Sequence, residues 1–396
     1  MDLSYSSQHQ SFQEEVRDFL ESHAEQAAEA GGLRTEKGLA WQQTLIEHGY
    51  TARTIPKQYG GFGAEPDILK TRIIAEEFAT AGVSPGLGGQ GISMLVPTLL
   101  EVGTEEQKQA FIKPTLHGEM LWCQGYSEPG AGSDLASLTT SAVLDGDEWV
   151  VNGQKTWTST AHLADWIFCL VRTEPDAPKH QGISFLLFRM DSPGIEVRPL
   201  VDITGAANFN EVFFTDVRVP KHQIVGQRGE GWQVANAILG FERDSLADPN
   251  ITLQRFNALI DLMKSETING QRLIDHQMYR DRLMKIQGRV MALRFNDLRI
   301  LSSRLTKKDT RLARLIVKLQ GTELRHDLES LGIDAMGELG LAYGDNPYLR
   351  DKGSWQIHYM YFLGLIIGGG TAQIQKNIIS ERGLDLPREP KVEKKS

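Results

Sequence analysis

Three short segments hold residue types whose spacing could do chemistry. The first runs Trp122-Cys-Gln-Gly-Tyr-Ser-Glu-Pro-Gly-Ala-Gly-Ser-Asp134. Its glycines let a backbone approach a ligand closely and leave the hydroxyls of Ser127 and Ser133, with main-chain N–H groups, as donors. The second, Asn152-Gly-Gln-Lys-Thr-Trp-Thr-Ser159, reads as a tight Asn-Gly turn and then a strand with Lys155, Trp157 and Ser159 on one face. An indole beside a hydroxyl can wall a flat heterocycle and bond its edge. The third is Ile367-Gly-Gly-Gly-Thr-Ala-Gln-Ile-Gln375. Each glycine inside a helix costs about 1 kcal/mol relative to alanine, so a triplet marks a turn or a backbone that meets a ligand, with Thr371 and Gln373 as donors. Taken singly, the first segment reads equally well as a polar loop, and Trp157 as a half-buried core residue.

These segments need elements to hold them. Phe12, Val16, Phe19 and Leu20 fall on one helical face, and residues 67–81 read as a second helix with Ile68, Leu69, Ile73 and Ile74 inward. Pro56 to Gly63 is a loop. Thr104 and Gln107 have capping-box spacing for a helix reaching Leu116. From residue 120 the period changes. Asp145-Gly146 and Asn152-Gly153 read as hairpin turns, and 166–172, 182–190, 195–199 and 209–219 read as strands. Helical period returns at Gly231, with Leu283, Ile286, Val290 and Leu293 on one face and Leu312, Leu315, Ile316 and Leu319 on another. The expected architecture is α+β and multidomain: a helical domain over 1–120, an all-β unit over 121–230, an antiparallel helical bundle over 231–390 and a charged tail over 391–396.

Composition narrows the function classes. The 396 residues carry 42 Lys and Arg against 51 Asp and Glu, a net charge of −9, which argues against a nucleic-acid binder. Two cysteines exclude a disulfide scaffold and a Cys-based zinc site. The longest apolar run, Tyr359 to Ile367, is far short of the roughly 18 residues of a membrane span. The acidic N-terminus resembles neither a signal nor a transit peptide, so a cytoplasmic enzyme is expected. Gly86 to Gly91 matches G-x-G-x-x-G, but a helical pattern precedes it where a dinucleotide fingerprint requires a strand.

The three segments, in this order and with PKQYGGFG before and ISERGLDLPR after them, resemble the acyl-CoA dehydrogenase family over nearly the whole chain. The resemblance implies an N-terminal helical domain, a middle β-barrel over 121–230 and a C-terminal four-helix bundle over 231–390, with non-covalent FAD. It implies oxidation of an acyl-CoA thioester to the 2-enoyl-CoA, a carboxylate removing the α-proton while hydride passes to flavin N5. An electron-transfer flavoprotein is the implied acceptor, and the implied assemblies are a homodimer, a homotetramer or a mixed heterotetramer. Carried over, Gln124, Tyr126 and Ser127 meet the flavin, Gly132 and Ser133 lie near flavin or CoA, and Trp157 and Ser159 pack on and bond the isoalloxazine. Gly369, Gly370, Thr371 and Gln373 contact the cofactor, and the N–H at Gly369 also faces the thioester carbonyl.

The chain departs from the best-known members at the base. Their glutamate before Gly-Thr is here Gly369. Other members use a Glu-Arg pair on the first bundle helix, which here is Glu242-Arg243, making Glu242 the expected base with Arg243 beside the substrate. The Arg-x-x-Phe-Gly segment that reaches a neighbour's FAD reads Ser-Glu-Thr-Ile-Asn-Gly at 265–270, and an expected glycine pair reads Gly337-Glu338. These changes keep a non-catalytic subunit of a mixed assembly as a rival, beside a flavin oxidase or monooxygenase on the same fold. Gly240 and Gly369 hint at room for a branched or bulky acyl group.

Overall fold

Phe12, Val16, Phe19 and Leu20 are all buried along α1 (Ser7–Ser22), as their spacing predicts. The computed structural model describes residues 5–29, 34–246, 248–306 and 309–388, without the side chains of 28–29, 241–246 and 304–306; the tail from 391 lies outside the described residues. The chain divides into two compact units, Met1–Glu242 and Arg243–Ser396.

In the first unit α1 is followed by α2 (Ala24–Glu29), α3 (Glu36–Glu47), α4 (Ile68–Ala81), α5 (Val96–Val102) and α6 (Glu105–Leu116). Asp67 caps α4 through the N–H groups of Leu69 and Lys70, and both halves of the Thr104–Gln107 capping box form on α6. Ile73 and Ile74 are buried, while Ile68 and Leu69 are half-buried in the first turn of α4. Leu95 to Ile112 packs with strand residues Phe168, Leu170, Phe185 and Leu187 in one core.

Strands β1 (Trp122–Gly125), β2 (Ser141–Asp145), β3 (Glu148–Ser159), β4 (Trp166–Arg172), β5 (Ile183–Arg189), β6 (Ile195–Leu200), β7 (Phe209–Pro220) and β8 (Ile224–Val225) form one eight-stranded sheet. Its order is β6-β7-β3-β2-β4-β5-β8, with β1 parallel to β4. The run Trp166–Arg172 is apolar on both faces because both are covered. Phe168 and Leu170 pack toward the helices, while Ile167, Cys169 and Val171 join Trp149, Val212 and Phe214 on the other side.

One expected turn is absent. Asp145-Gly146 joins β2 to β3, but β3 runs straight through Asn152-Gly153. The pair forms a bulge: the register with β7 slips between Val151 and Gly153. Asn152 Nδ2 donates to Asp216 Oδ1 at 3.0 Å and Asn152 Oδ1 accepts from Asp216 N at 2.9 Å, so the turn-forming side chain is engaged across the strands. Gly153 has φ 147°, and a Cβ there would lie 2.6 Å from Thr140 Oγ1.

α7 (Gly231–Leu246) begins where Gly231 packs on Ser184 of β5, and its Val234, Ala235 and Ile238 enter the first unit's core. The second unit holds α8 (Pro249–Ser265), the hairpin β9 (Thr267–Ile268) to β10 (Gln271–Arg272), α9 (Gln277–Thr306), α10 (Arg311–Leu315), α11 (Val317–Ala335), α12 (Ser354–Ile367) and α13 (Ala372–Ile378). Leu283, Ile286, Val290 and Leu293 are buried together with Leu324, Leu328 and Trp355. The second expected face does not form one helix: the chain breaks at Ile316, Leu319 is buried, and Leu312 and Leu315 turn to pack beside Gly383.

Candidate active site

In the first unit a buried ion pair organises two of the three segments. Lys155, fully buried, donates from Nζ to Glu128 Oε1 at 2.8 Å and to the Tyr126 carbonyl at 3.2 Å. Glu128 also accepts from Thr139 N (2.7 Å), Thr139 Oγ1 (2.8 Å) and Thr140 N (2.9 Å). Burial pushes this carboxyl up, but the Lys155 ammonium and the surrounding donors outweigh it and bring it down to about 2. Glu128 and Ala131 exchange both main-chain bonds at 3.0 Å, closing the Glu-Pro-Gly-Ala turn. The Ser127 carbonyl accepts from Thr156 N at 2.8 Å. Ser127 is thereby fixed against β3 next to Trp157, while Gly132 and Ser133 stand exposed on the far limb of the loop.

The expected common face of Lys155, Trp157 and Ser159 is not seen. A second register shift between Lys155 and Thr158 breaks the alternation. Lys155 therefore points into the core, and Trp157 is 62% exposed at φ 57°. The indole meets Phe209 edge-on, with ring centres 6.0 Å apart. Ser159 lines a cavity of about 250 Å³ together with Leu87, Gly91, Met120, Trp122 and Leu163. Within the Gly86–Gly91 match, Leu87 to Gly91 supply wall to this cavity, and helix α4, not a strand, precedes the match. Gln90 Nε2 donates to Gln124 Oε1 at 3.1 Å, while Gln90 Oε1 is buried and accepts no hydrogen bond from the described residues. Tyr126 is buried with its ring edge-on to Phe168 and Phe185. Both cysteine thiols are buried and raised, Cys169 to about 12, so neither is a ready nucleophile.

In the second unit the three glycines leave the helix, as their composition predicts. Gly368 ends α12, and Gly369 (φ 63°) and Gly370 (φ 93°) turn the chain into α13. Thr371 caps α13 by accepting from Ile374 N at 3.2 Å, which leaves its hydroxyl proton for another acceptor. Gln373 is exposed. Lys318 and Gln375, which sequence reasoning did not single out, are both buried against this turn. Lys318 meets partners 48 and 52 residues away, so no local window of sequence shows its role. Glu128 and Lys155 are far apart in sequence and left no local signal.

Glu242 and Arg243 belong to α7, but their side chains lie outside the described residues. Gly240 sits on an exposed side of the same helix, where an added Cβ would meet nothing within 4 Å. The segment at 265–270 is a tight hairpin with Asn269 and Gly270 both at positive φ.

No described helix is long and apolar enough to cross a membrane. Family models for the acyl-CoA dehydrogenase N-terminal, middle and C-terminal domains match residues 6–119, 123–217 and 229–384. The chain is similar to acyl-CoA dehydrogenase IpdE1 of Mycobacterium tuberculosis (strain ATCC 25618 / H37Rv), with 38% identity over 358 residues covering 90% of each chain. Among solved structures it is similar to the Tcur3481-Tcur3483 steroid ACAD, with a TM-score of 0.82 and 28% identity over 98% of this chain and 100% of that one. It is likewise similar to the ChsE4-ChsE5 complex from Mycobacterium tuberculosis, with a TM-score of 0.80 and 30% identity over 98% and 100%. With helical parts flanking a sheet, a glycine turn between its last helices and these matches along its length, the chain belongs to the acyl-CoA dehydrogenase family.

Proposed function

We propose that this chain oxidises an acyl-CoA thioester to its 2-enoyl product with bound FAD, and that Glu242 is the base. The observation that carries the reading is Trp157. A left-handed backbone costs a non-glycine residue about 1–2 kcal/mol, and here it serves to hold an indole out of the core, 62% exposed. Strain of this kind collects at ligand sites, and an upright aromatic face suits a flat heterocycle. The other residues fit the same group. Ser127 and Ser159 supply hydroxyls, Gln90 an open acceptor, and the Gly369–Thr371 turn supplies main-chain donors with no side chain in the way.

FAD, when bound, supplies the acceptor for the β-hydride. The protein's own part is to orient the thioester and move a proton. An α-proton of a thioester is weakly acidic, so a donor must meet the carbonyl oxygen as charge develops, the Gly369 N–H in this reading. Gly369 offers no carboxylate, which leaves the proton to Glu242 on α7, with Arg243 beside it. Gln124, Tyr126, Gly132, Ser133, Gly370, Thr371 and Gln373 complete the cofactor and CoA contacts. The reading divides the chain into a helical domain over 1–120, a sheet domain over 121–230 and a bundle over 231–390.

The acyl group in this reading is bulky. The wall from Leu87 to Gly91 borders a cavity of about 250 Å³, and one similar solved protein is a steroid ACAD. Anaerobic titration of the purified chain with straight, branched and ring-bearing acyl-CoAs tests this through the flavin's visible absorbance. Bleaching by the ring-bearing class is expected. Bleaching by short straight chains alone contradicts the substrate class, and a flavin-binding chain that no acyl-CoA bleaches contradicts the reaction.

A second reading is that the chain works in a mixed assembly and needs an unlike subunit to complete its cofactor sites. The missing Arg and Phe at 265–270 favour it, as does the likeness to one solved relative that is a complex of ChsE4 with ChsE5. A chain that takes up FAD only when co-expressed with a relative supports this over the homo-oligomer. An electron-transfer flavoprotein is the expected acceptor in either case.

A further inference from the structure

Three successive glycines have more conformational freedom than any other tripeptide. A turn built from them presents donors in fixed directions only if something outside it holds it. Two buried side chains do so. Lys318 on α11 is 2% exposed, and its Nζ donates to the Ile366 carbonyl at 3.1 Å and the Gly370 carbonyl at 2.7 Å. Gln375 on α13 is also 2% exposed, and its Nε2 donates to the Gly369 carbonyl at 3.0 Å. A Cβ at Gly370 would lie 2.7 Å from that same Nε2, so the turn sits directly on its support.

The pins act on consecutive peptide planes. A trans peptide directs its N–H opposite to its C=O. Drawing the Gly369 carbonyl to Gln375 and the Gly370 carbonyl to Lys318 therefore turns the N–H groups of Gly370 and Thr371 away from both side chains. Each carbonyl that accepts is polarised, and the N–H of its own plane becomes a better donor. With the following plane fixed, Gly369 at φ 63° has one direction left for its own N–H. Packing alone does not call for an ammonium here. Leu319 beside it is buried and apolar, and an apolar residue would fill the space without the cost of desolvating a charge.

We propose that Lys318, together with Gln375, is a positioning residue: it locks the glycine turn so that its N–H groups meet the oxygens of the thioester and of the flavin cofactor. The proposal rests on the acyl-CoA dehydrogenation reading above. It assigns Lys318 no contact with substrate; the cation acts through the Gly370 carbonyl. Its contact with Ile366 also offers a purely structural role, because the last turn of a helix leaves carbonyls unpaired and favours a cation. Gln375 separates the two roles, since it pins the turn without touching the end of α12.

The test compares Lys318→Met, Gln375→Leu and the conservative Lys318→Arg with the wild type, below every unfolding transition. FAD affinity of the apoprotein is read by quenching of flavin fluorescence. kcat and KM are then taken at saturating FAD with the acyl-CoA the wild type oxidises best. Both disruptive variants are expected to weaken FAD about 10-fold and to lower kcat about 10-fold or more at a KM within about threefold, the signature of misplaced donors. Lys318→Arg is expected to recover part of each loss. If Lys318→Met fails to fold, Gln375→Leu carries the test with the same expected values. FAD affinity and kcat equal to wild type in Gln375→Leu, or in a folded Lys318→Met that differs only in Tm, overturn the proposal and leave a helix cap. A wild-type chain that takes up FAD neither alone nor co-expressed with a relative overturns the functional reading itself, and this inference with it; if FAD enters only on co-expression, the same variants are compared in the co-expressed assembly.

Discussion

Replacing Lys155 by methionine removes the cation at the centre of the first unit while roughly keeping its volume. Glu128 then keeps the donors of Thr139 and Thr140, at 2.7 to 2.9 Å, but loses the ammonium at 2.8 Å. Removing one partner of a buried pair costs about 3–5 kcal/mol, and three surviving hydrogen bonds place the loss near the lower end, about 3 kcal/mol. The depression of the Glu128 carboxyl from 4.5 to about 2, set by the ammonium together with the Thr139 and Thr140 donors against burial, corresponds to a linkage of the same order, roughly 3 kcal/mol at about 1.4 kcal/mol per pH unit. For a unit of this size that is a drop in Tm of about 6–12 °C.

The sign with pH is the sharper part. In the wild type the folded carboxyl is depressed, so its stabilisation is complete above about 4.5 and is lost as pH falls toward about 2. In Lys155→Met burial acts with less opposition and the folded carboxyl rises. Protonation then relieves the variant, and its deficit narrows as pH falls through 4. Urea unfolding of the first-unit transition at pH 7, 5 and 4 measures this. A deficit under about 1 kcal/mol at pH 7, or one that does not narrow in acid, refutes the assignment of Glu128–Lys155 as a strongly coupled buried pair.

Other expectations follow from single positions. Trp157→Ala is expected to weaken FAD binding by about 10-fold or more, as for a lost stacking partner worth 1–3 kcal/mol, yet to leave Tm unchanged or higher, because the strained residue packs little; calorimetry with fluorescence titration reads both. Gly231→Ala drives a Cβ to 2.4 Å from the Ser184 carbonyl carbon, so α7 must move; a loss of about 2 kcal/mol in urea unfolding and a drop in flavin reduction rate are expected. His358, which burial and then the Arg255 and Arg325 charges lower to about 4, takes up its proton more readily when unfolded. Stability of the second unit therefore falls as pH drops from 6.5 toward 4, and His358→Gln is expected to flatten that slope in a pH series of unfolding curves.

The order of helices, sheet and helices was readable because it follows from local period: α1 and α9 bury the residues their spacing selects, and β4 and β5 are apolar on both faces. The glycine triplet was readable for the same reason, since three glycines do not continue a helix. Asn152-Gly153 was misread because its outcome was decided across strands. The same side chain that closes a hairpin turn found Asp216 on β7 instead, and the chain bulged rather than reversed. That bulge, with the one after Lys155, is why Lys155 and Trp157 point opposite ways and why alternation failed at the residues that mattered most. The supports of the site, Glu128 for Lys155, Gln90 for Gln124 and Lys318 for the glycine turn, join distant parts of the chain, so no window of sequence contains them.

The proposed reaction turns on Glu242 taking the α-proton as the flavin is reduced. Anaerobic rapid mixing of FAD-loaded wild type and Glu242→Gln with the best acyl-CoA substrate tests it, following loss of flavin absorbance in a single turnover. At equal flavin content and equal substrate affinity, the variant is expected to reduce its flavin about 10²-fold or more slowly, the range for a lost general base. A rate within about threefold of wild type would contradict the assignment and place the base elsewhere.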